Sequence, residues 1–166
     1  MLYPLSYGGR RVEHVAGRPR RAYRTTDTVW PMDPEAPHVL VVDDTASIRF
    51  LIRTNLELAG FSVSEAVDGQ ECLEILRSAE TLPDVVTIDV MMPRMDGVAA
   101  VQAIRADPRL AGLAVVMVTT QGHPTSVQRA IEVGVDAYVT KPFDPDHLVA
   151  TLSDLVTQRR AQRRAE

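Results

Sequence analysis

The sequence predicts an α/β domain: a parallel five-stranded sheet with helices packed on both faces. Two observations carry that expectation. Short apolar, β-branched runs alternate strictly with stretches whose apolar residues recur every three or four positions. The runs are also continuously apolar, the pattern of strands buried on both sides.

The elements follow in order. Val39-Leu40-Val41-Val42 is the first strand and stops at Asp43-Asp44; Ile48, Leu51, Ile52 and Leu56 then keep helical spacing up to Gly60, a helix stop. Phe61, Val63 and Glu65-Ala66 mark a second strand, and Cys72, Ile75 and Leu76 one face of a second helix. After Pro83, Val85-Val86-Thr87-Ile88 forms a third strand ending at Asp89, and Val98, Val101 and Ala103-Ile104 a helix closed by Asp107-Pro108. Ala114 to Val118 is a fourth strand ending at Thr119-Thr120; Val127, Ala130, Ile131 and Gly134 give a fourth helix and its stop. Ala137 to Val139 is the fifth strand, before Lys141-Pro142, and Leu148, Val149, Leu152, Leu155 and Val156 make an amphipathic last helix. Right-handed crossovers then favour a flavodoxin-like (βα)5 doubly wound sheet in the order 2-1-3-4-5.

Composition narrows the function classes. The chain has 166 residues, 45% apolar and 24% charged, an ordinary composition for one globular domain. No apolar run approaches the roughly 20 residues that cross a bilayer, and the N-terminus lacks a secretory pattern, so a cytoplasmic protein with no membrane partner is expected. Cys72 is the single cysteine, which fits a reducing compartment. Residues 1–36 hold six arginines against Glu13, Asp27, Asp33 and Glu35, a balance of +2, so of the net −4 the remainder carries −6. An acidic body argues against nucleic acid as a ligand of the folded part.

Residues 1–36 show neither helical nor strand periodicity and mix glycine, proline and arginine, so a disordered basic extension is expected, with Met32 as an alternative start. One folded domain is expected at 37–158, and 159–166 as an arginine-rich tail whose cations suit the negative end of a helix. Among 18 basic residues 17 are arginine; Lys141 is the one lysine.

Position is more informative than composition. Ligands of an open parallel sheet bind beyond the carboxyl ends of its strands, at the switch in strand order. There this chain places Asp43-Asp44, Asp89, Thr119 and Lys141: three carboxylates, a hydroxyl and an amine. Carboxylates a few ångströms apart raise one another's pKa unless a cation intervenes, and Mg2+ suits a small, hydrated, all-oxygen site. Asp96 before Gly97 is expected to cap a helix, Cys72 to pack in the core, and His14, His38, His123 and His147 to form no site.

Val41-Val42-Asp43-Asp44, Asp89-Val90-Met91-Met92-Pro93-Arg94-Met95-Asp96-Gly97, Val118-Thr119 and Lys141-Pro142-Phe143 together resemble the receiver domain of two-component response regulators, nearest in size to the stand-alone chemotaxis type; the resemblance spans residues 38 to about 157. It implies that Asp89 is the phosphoacceptor, attacking the phosphorus of a phosphohistidine. Asp44 and Asp89 would ligate Mg2+, Asp43 would act through water, and Met91 would stand where a main-chain carbonyl reaches the metal. Thr119 and Lys141 would contact phosphoryl oxygens, Pro142 would follow a cis peptide, and Tyr138 would be the aromatic residue that turns inward on activation. Met91 and Gln121 occupy the positions that tune the lifetime of the acyl phosphate, and Gln121→Ala should lengthen it. A histidine kinase or phosphotransfer protein and a downstream protein target are the implied partners, for a monomer or weak dimer with no output domain. Two rivals share the chemistry or the fold. An aspartate-nucleophile phosphatase of the haloacid-dehalogenase type would want an acid at position 91, and a flavin module would want a phosphate loop where Asp43-Asp44 stands.

Overall fold

The computed structural model describes residues 36–120 and 124–165. The expected basic extension, with Met32, therefore lies outside the described residues but for Ala36, and so does Gln121. Ten elements alternate: β1 (His38–Val42), α1 (Ala46–Leu58), β2 (Ser62–Ala66), α2 (Gly69–Ser78), β3 (Val85–Ile88), α3 (Gly97–Ala106), β4 (Ala114–Thr119), α4 (Pro124–Glu132), β5 (Ala137–Thr140) and α5 (Pro145–Ala165). The five strands form one sheet in the order β2-β1-β3-β4-β5, every pair parallel. It is the flavodoxin-like order expected from the sequence.

Alternation along each strand divides the core into two layers. Leu40, Val42, Val86, Ile88, Val115 and Met117 face one side, where they meet Cys72, Leu76, Val101 and Ile104 of α2 and α3. Val39, Val41, Val85, Val116, Val118 and Val139 face the other, against Ile52 and Leu56 of α1 and Leu148, Leu152 and Val156 of α5. Cys72 is wholly buried and its thiol is pushed up to about 12 by burial, so it packs as a small hydrophobe.

Helix ends follow the sequence cues. Gly60 and Gly134 take φ of 91° and 88° just beyond α1 and α4, the left-handed conformation glycine enters freely. Asp68 and Asp96 cap α2 and α3, accepting from the backbone N–H of Glu71 and Ala99. The last boundary is displaced furthest. The helix expected to give way to a tail after residue 158 instead continues to Ala165. Its added turns are tied to the body: Arg159 Nη2 lies 3.2 Å from Asp136, and Arg160 Nη2 lies 3.0 Å from Asp84, which also accepts the N–H of His38. Among the described residues no helix is long and apolar enough to cross a membrane.

Candidate functional site

Parallel pairing in register brings the carboxyl ends of β1, β3 and β4 to one edge. Val42 pairs with Ile88, and Ile88 with Met117, so Asp43 and Asp89 follow adjacent strands at the same level. The Asp89 N–H donates to Val42 O at 3.0 Å, which carries the β1–β3 pairing one residue into the site. Thr119 ends β4, fully buried, and its carbonyl accepts the Lys141 N–H at 2.8 Å, which brings the residue after β5 to the same edge. The Lys141-Pro142 peptide is cis, as the resemblance implies.

Carboxylate oxygens of Asp43, Asp44 and Asp89 all lie within 4.8 Å of one another. Asp43 is 1% and Asp89 7% exposed, while Asp44 is open to solvent. Each buried acid is held by its neighbours: Asp43 Oδ1 accepts the Thr45 N–H at 2.8 Å, and Asp89 Oδ1 accepts the Val90 N–H at 2.8 Å. Their second oxygens face the Lys141 ammonium, at 2.5 Å for Asp43 and 3.3 Å for Asp89. The one ammonium thus sits against both buried acids. The donor set is all oxygen, anionic and open on the Asp44 side, the chemistry a hard divalent cation requires, so the residues fit Mg2+.

The structure thus brings Asp43, Asp44, Asp89, Thr119 and Lys141 together at one sheet edge. Met91 lies in the loop directly after Asp89 and is 59% exposed. Tyr138 is half-buried in β5, packed beside the α2–α3 layer, and its phenol is raised first by burial and then by the charge of Asp89. Two glycine positions show how tightly the loop is drawn in. A Cβ at Gly97 would sit 2.1 Å from the carbonyl oxygen of Asp89, and one at Gly69 would sit 2.8 Å from the Met95 side chain and carbonyl.

Sequence reasoning missed some supporting contacts. Arg49 Nη1 donates to the Asp43 carbonyl at 2.7 Å from the first turn of α1. Asp68, 2% exposed at its side chain, receives Nε and Nη2 of Arg94 at 2.5 Å each. Burial pushes the Asp68 carboxyl up, but hydrogen bonds from the Glu71 N–H and from Arg94 outweigh it and hold the group below the ordinary range. The cap was readable in Asp68-x-x-Glu71, a capping-box spacing; its arginine partner, 26 residues on, was not.

Comparison with known proteins agrees with this geometry. A family profile described as response regulator receiver domain matches residues 39–153. The DNA-binding dual master transcriptional regulator RpaA of Synechocystis is 35% identical over 120 residues, 72% of this chain and 49% of that one. A probable transcriptional regulator, ycf27, of Guillardia theta is 40% identical over 114 residues, 69% of this chain and 43% of its own. The chain spans about half the length of these curated relatives. Among solved structures, the chemotaxis response regulator CheY4 of Vibrio cholerae is 36% identical with a TM-score of 0.67, over 72% of this chain and 98% of that one. The phosphatase alternative finds no support, since the profile and this neighbour are both response-regulator proteins. Receiver domains are phosphoacceptor signalling switches that bind Mg2+ at an acidic pocket and interact with histidine kinases or phosphotransfer proteins. The chain belongs to the response-regulator receiver family, and its five-stranded body is a receiver domain.

Proposed function

We propose that this receiver domain accepts a phosphoryl group on Asp89 from a histidine kinase and signals to a partner protein through the α4–β5–α5 face. The observation that carries the reading is the Lys141 ammonium set between Asp43 and Asp89 beside a three-carboxylate cluster. A carboxylate oxygen of Asp89 attacks phosphorus, the phosphorus–nitrogen bond of the phosphohistidine breaks, and its electron pair stays on the imidazole. Asp44 and Asp89, with the Met91 carbonyl, would hold Mg2+, and Asp43 would bind it through water; when bound, the ion supplies positive charge to the phosphoryl oxygens. Lys141 turns from its carboxylates to a phosphoryl oxygen, and the Thr119 hydroxyl donates to another. Movement of Thr119 leaves room for Tyr138 to turn inward, which shifts the population of α4–β5–α5 surfaces. Gln121 orients the water that hydrolyses the acyl phosphate, and apolar Met91 does not.

The protein is a switch, not an enzyme acting on a separate substrate. It works in the cytoplasm as a monomer or weak dimer, and its folded domain contacts no nucleic acid. The receiver is assigned to residues 37–158. The test is labelling with acetyl phosphate and Mg2+. One label per chain, lost in Asp89→Asn, is the expected result. Label retained by Asp89→Asn, or steady turnover of a phosphate ester, overturns the reading.

A further inference from the structure

The geometry points to Arg94 as a positioning residue that fixes the loop between β3 and α3 to the start of α2, and through that loop the metal site; the inference rests on the Mg2+ reading above. The loop runs from Val90 to Asp96 and contains Met91. Its inner end is closed by its own backbone, the Gly97 N–H donating to Val90 O at 2.9 Å. Its outer limb has a different anchor. The Gly69 N–H donates to Met95 O at 3.1 Å, and one residue earlier on each strand of this contact Arg94 grips Asp68 through Nε and Nη2. Asp68 is itself immobilised, because its other oxygen caps α2 through the Glu71 N–H at 2.9 Å. The start of α2 therefore acts as a fixed post, and two consecutive loop residues are bound to it.

Arg94 takes a φ of 63°, a left-handed conformation that a side chain disfavours and glycine does not. Glycine there would spare the backbone but lose the tether. Met91 is an exposed residue, so side-chain packing gives it little anchorage. The placement of its carbonyl must come from the main chain on either side, Asp89 before it and the Arg94–Met95 anchor after it. Loss of the tether should leave the fold intact and let the carbonyl wander. Outer partners of this kind typically alter metal affinity by about 10- to 100-fold. Arg94 is 60% exposed at its side chain, which places the expectation at the lower end, about tenfold.

The experiment titrates MgCl2 into the unphosphorylated full chain by calorimetry and by backbone amide shifts, with thermal unfolding in chelator alongside. Arg94→Gly relaxes the backbone while removing the guanidinium, Asp68→Asn keeps an α2 cap but removes the charge, and Arg94→Lys restores a cation. The expected result is an Mg2+ affinity about tenfold weaker in Arg94→Gly and in Asp68→Asn, no weaker in the double variant, and partly recovered in Arg94→Lys. Melting in chelator should be nearly unchanged in Arg94→Gly. Wild-type affinity in Arg94→Gly, or full additivity in the double variant, overturns the tether alone. A wild-type chain that binds no Mg2+ overturns the metal reading, and the tether with it.

Discussion

Thr87 puts a hydroxyl into a layer that, among the described residues, offers it no partner. It sits in β3 between Val41 and Val116, facing the α1–α5 side, and its Oγ1 is buried without a hydrogen bond. A buried unmatched hydroxyl costs about 1–3 kcal/mol, and valine has nearly the same shape without that cost. Thr87→Val should therefore raise unfolding stability by about 1 kcal/mol in urea melts; a loss of stability would show that the hydroxyl is satisfied in solution. At this scale the acids and the lysine were legible because strand ends in a doubly wound sheet converge by topology alone. Asp43, Asp44, Asp89, Thr119 and Lys141 needed no side-chain detail to be placed together. The partner of Asp68 was not legible, because a contact between residues 68 and 94 depends on how a loop turns, and Arg94 makes that turn with a backbone sign no propensity assigns to arginine.

Elements are held at their ends. Asp96 accepts the Ala99 N–H at 2.8 Å, so Asp96→Ala should remove about 1 kcal/mol of stability while leaving the α3 face unchanged. A chemical denaturation midpoint equal to wild type would show that water caps the helix equally well. Arg105 works at the other end of the same helix, donating to the carbonyls of Gly134, Ala111 and Leu113 and pairing with Asp136. Burial lowers its pKa more than Asp136 raises it. Arg109 reaches the carbonyls of Leu76, Arg77 and Ala79 at the close of α2. These planar, many-donor groups explain one use of a chain so rich in arginine, since a five-donor fork reaches carbonyls set farther apart than one ammonium nitrogen can. The apolar repeat announced α5 only as far as Val156, because beyond it the helix is held by ion pairs to Asp136 and Asp84, and charge pairing leaves no period to read.

The whole sheet has a pH dependence written at its opposite edge. His38 begins β1 with its Nε2 2.8 Å from Ser64 Oγ and its backbone N–H on Asp84. Burial lowers its pKa more than the Asp84 charge raises it. The unfolded chain thus binds a proton at higher pH than the folded one, so unfolding takes up protons as pH falls below about 6.5. Stability should be full above that value and decline as pH drops through the lowered folded pKa. His38→Gln should flatten the decline between pH 7 and 5 in a series of melts, and an unaltered slope would assign it to other groups. The order of strands and the two apolar layers were legible at this scale because each follows from alternation and handedness.

The single ε-amine has a practical consequence. Because Lys141 is the chain's one lysine and its Nζ lies between two carboxylates, a nitrogen-15 spectrum tuned to side-chain ammonium groups should contain one resonance, with no assignment needed. That resonance reports from the centre of the acidic cluster, so the chain carries an internal voltmeter for every ion or phosphate that reaches it.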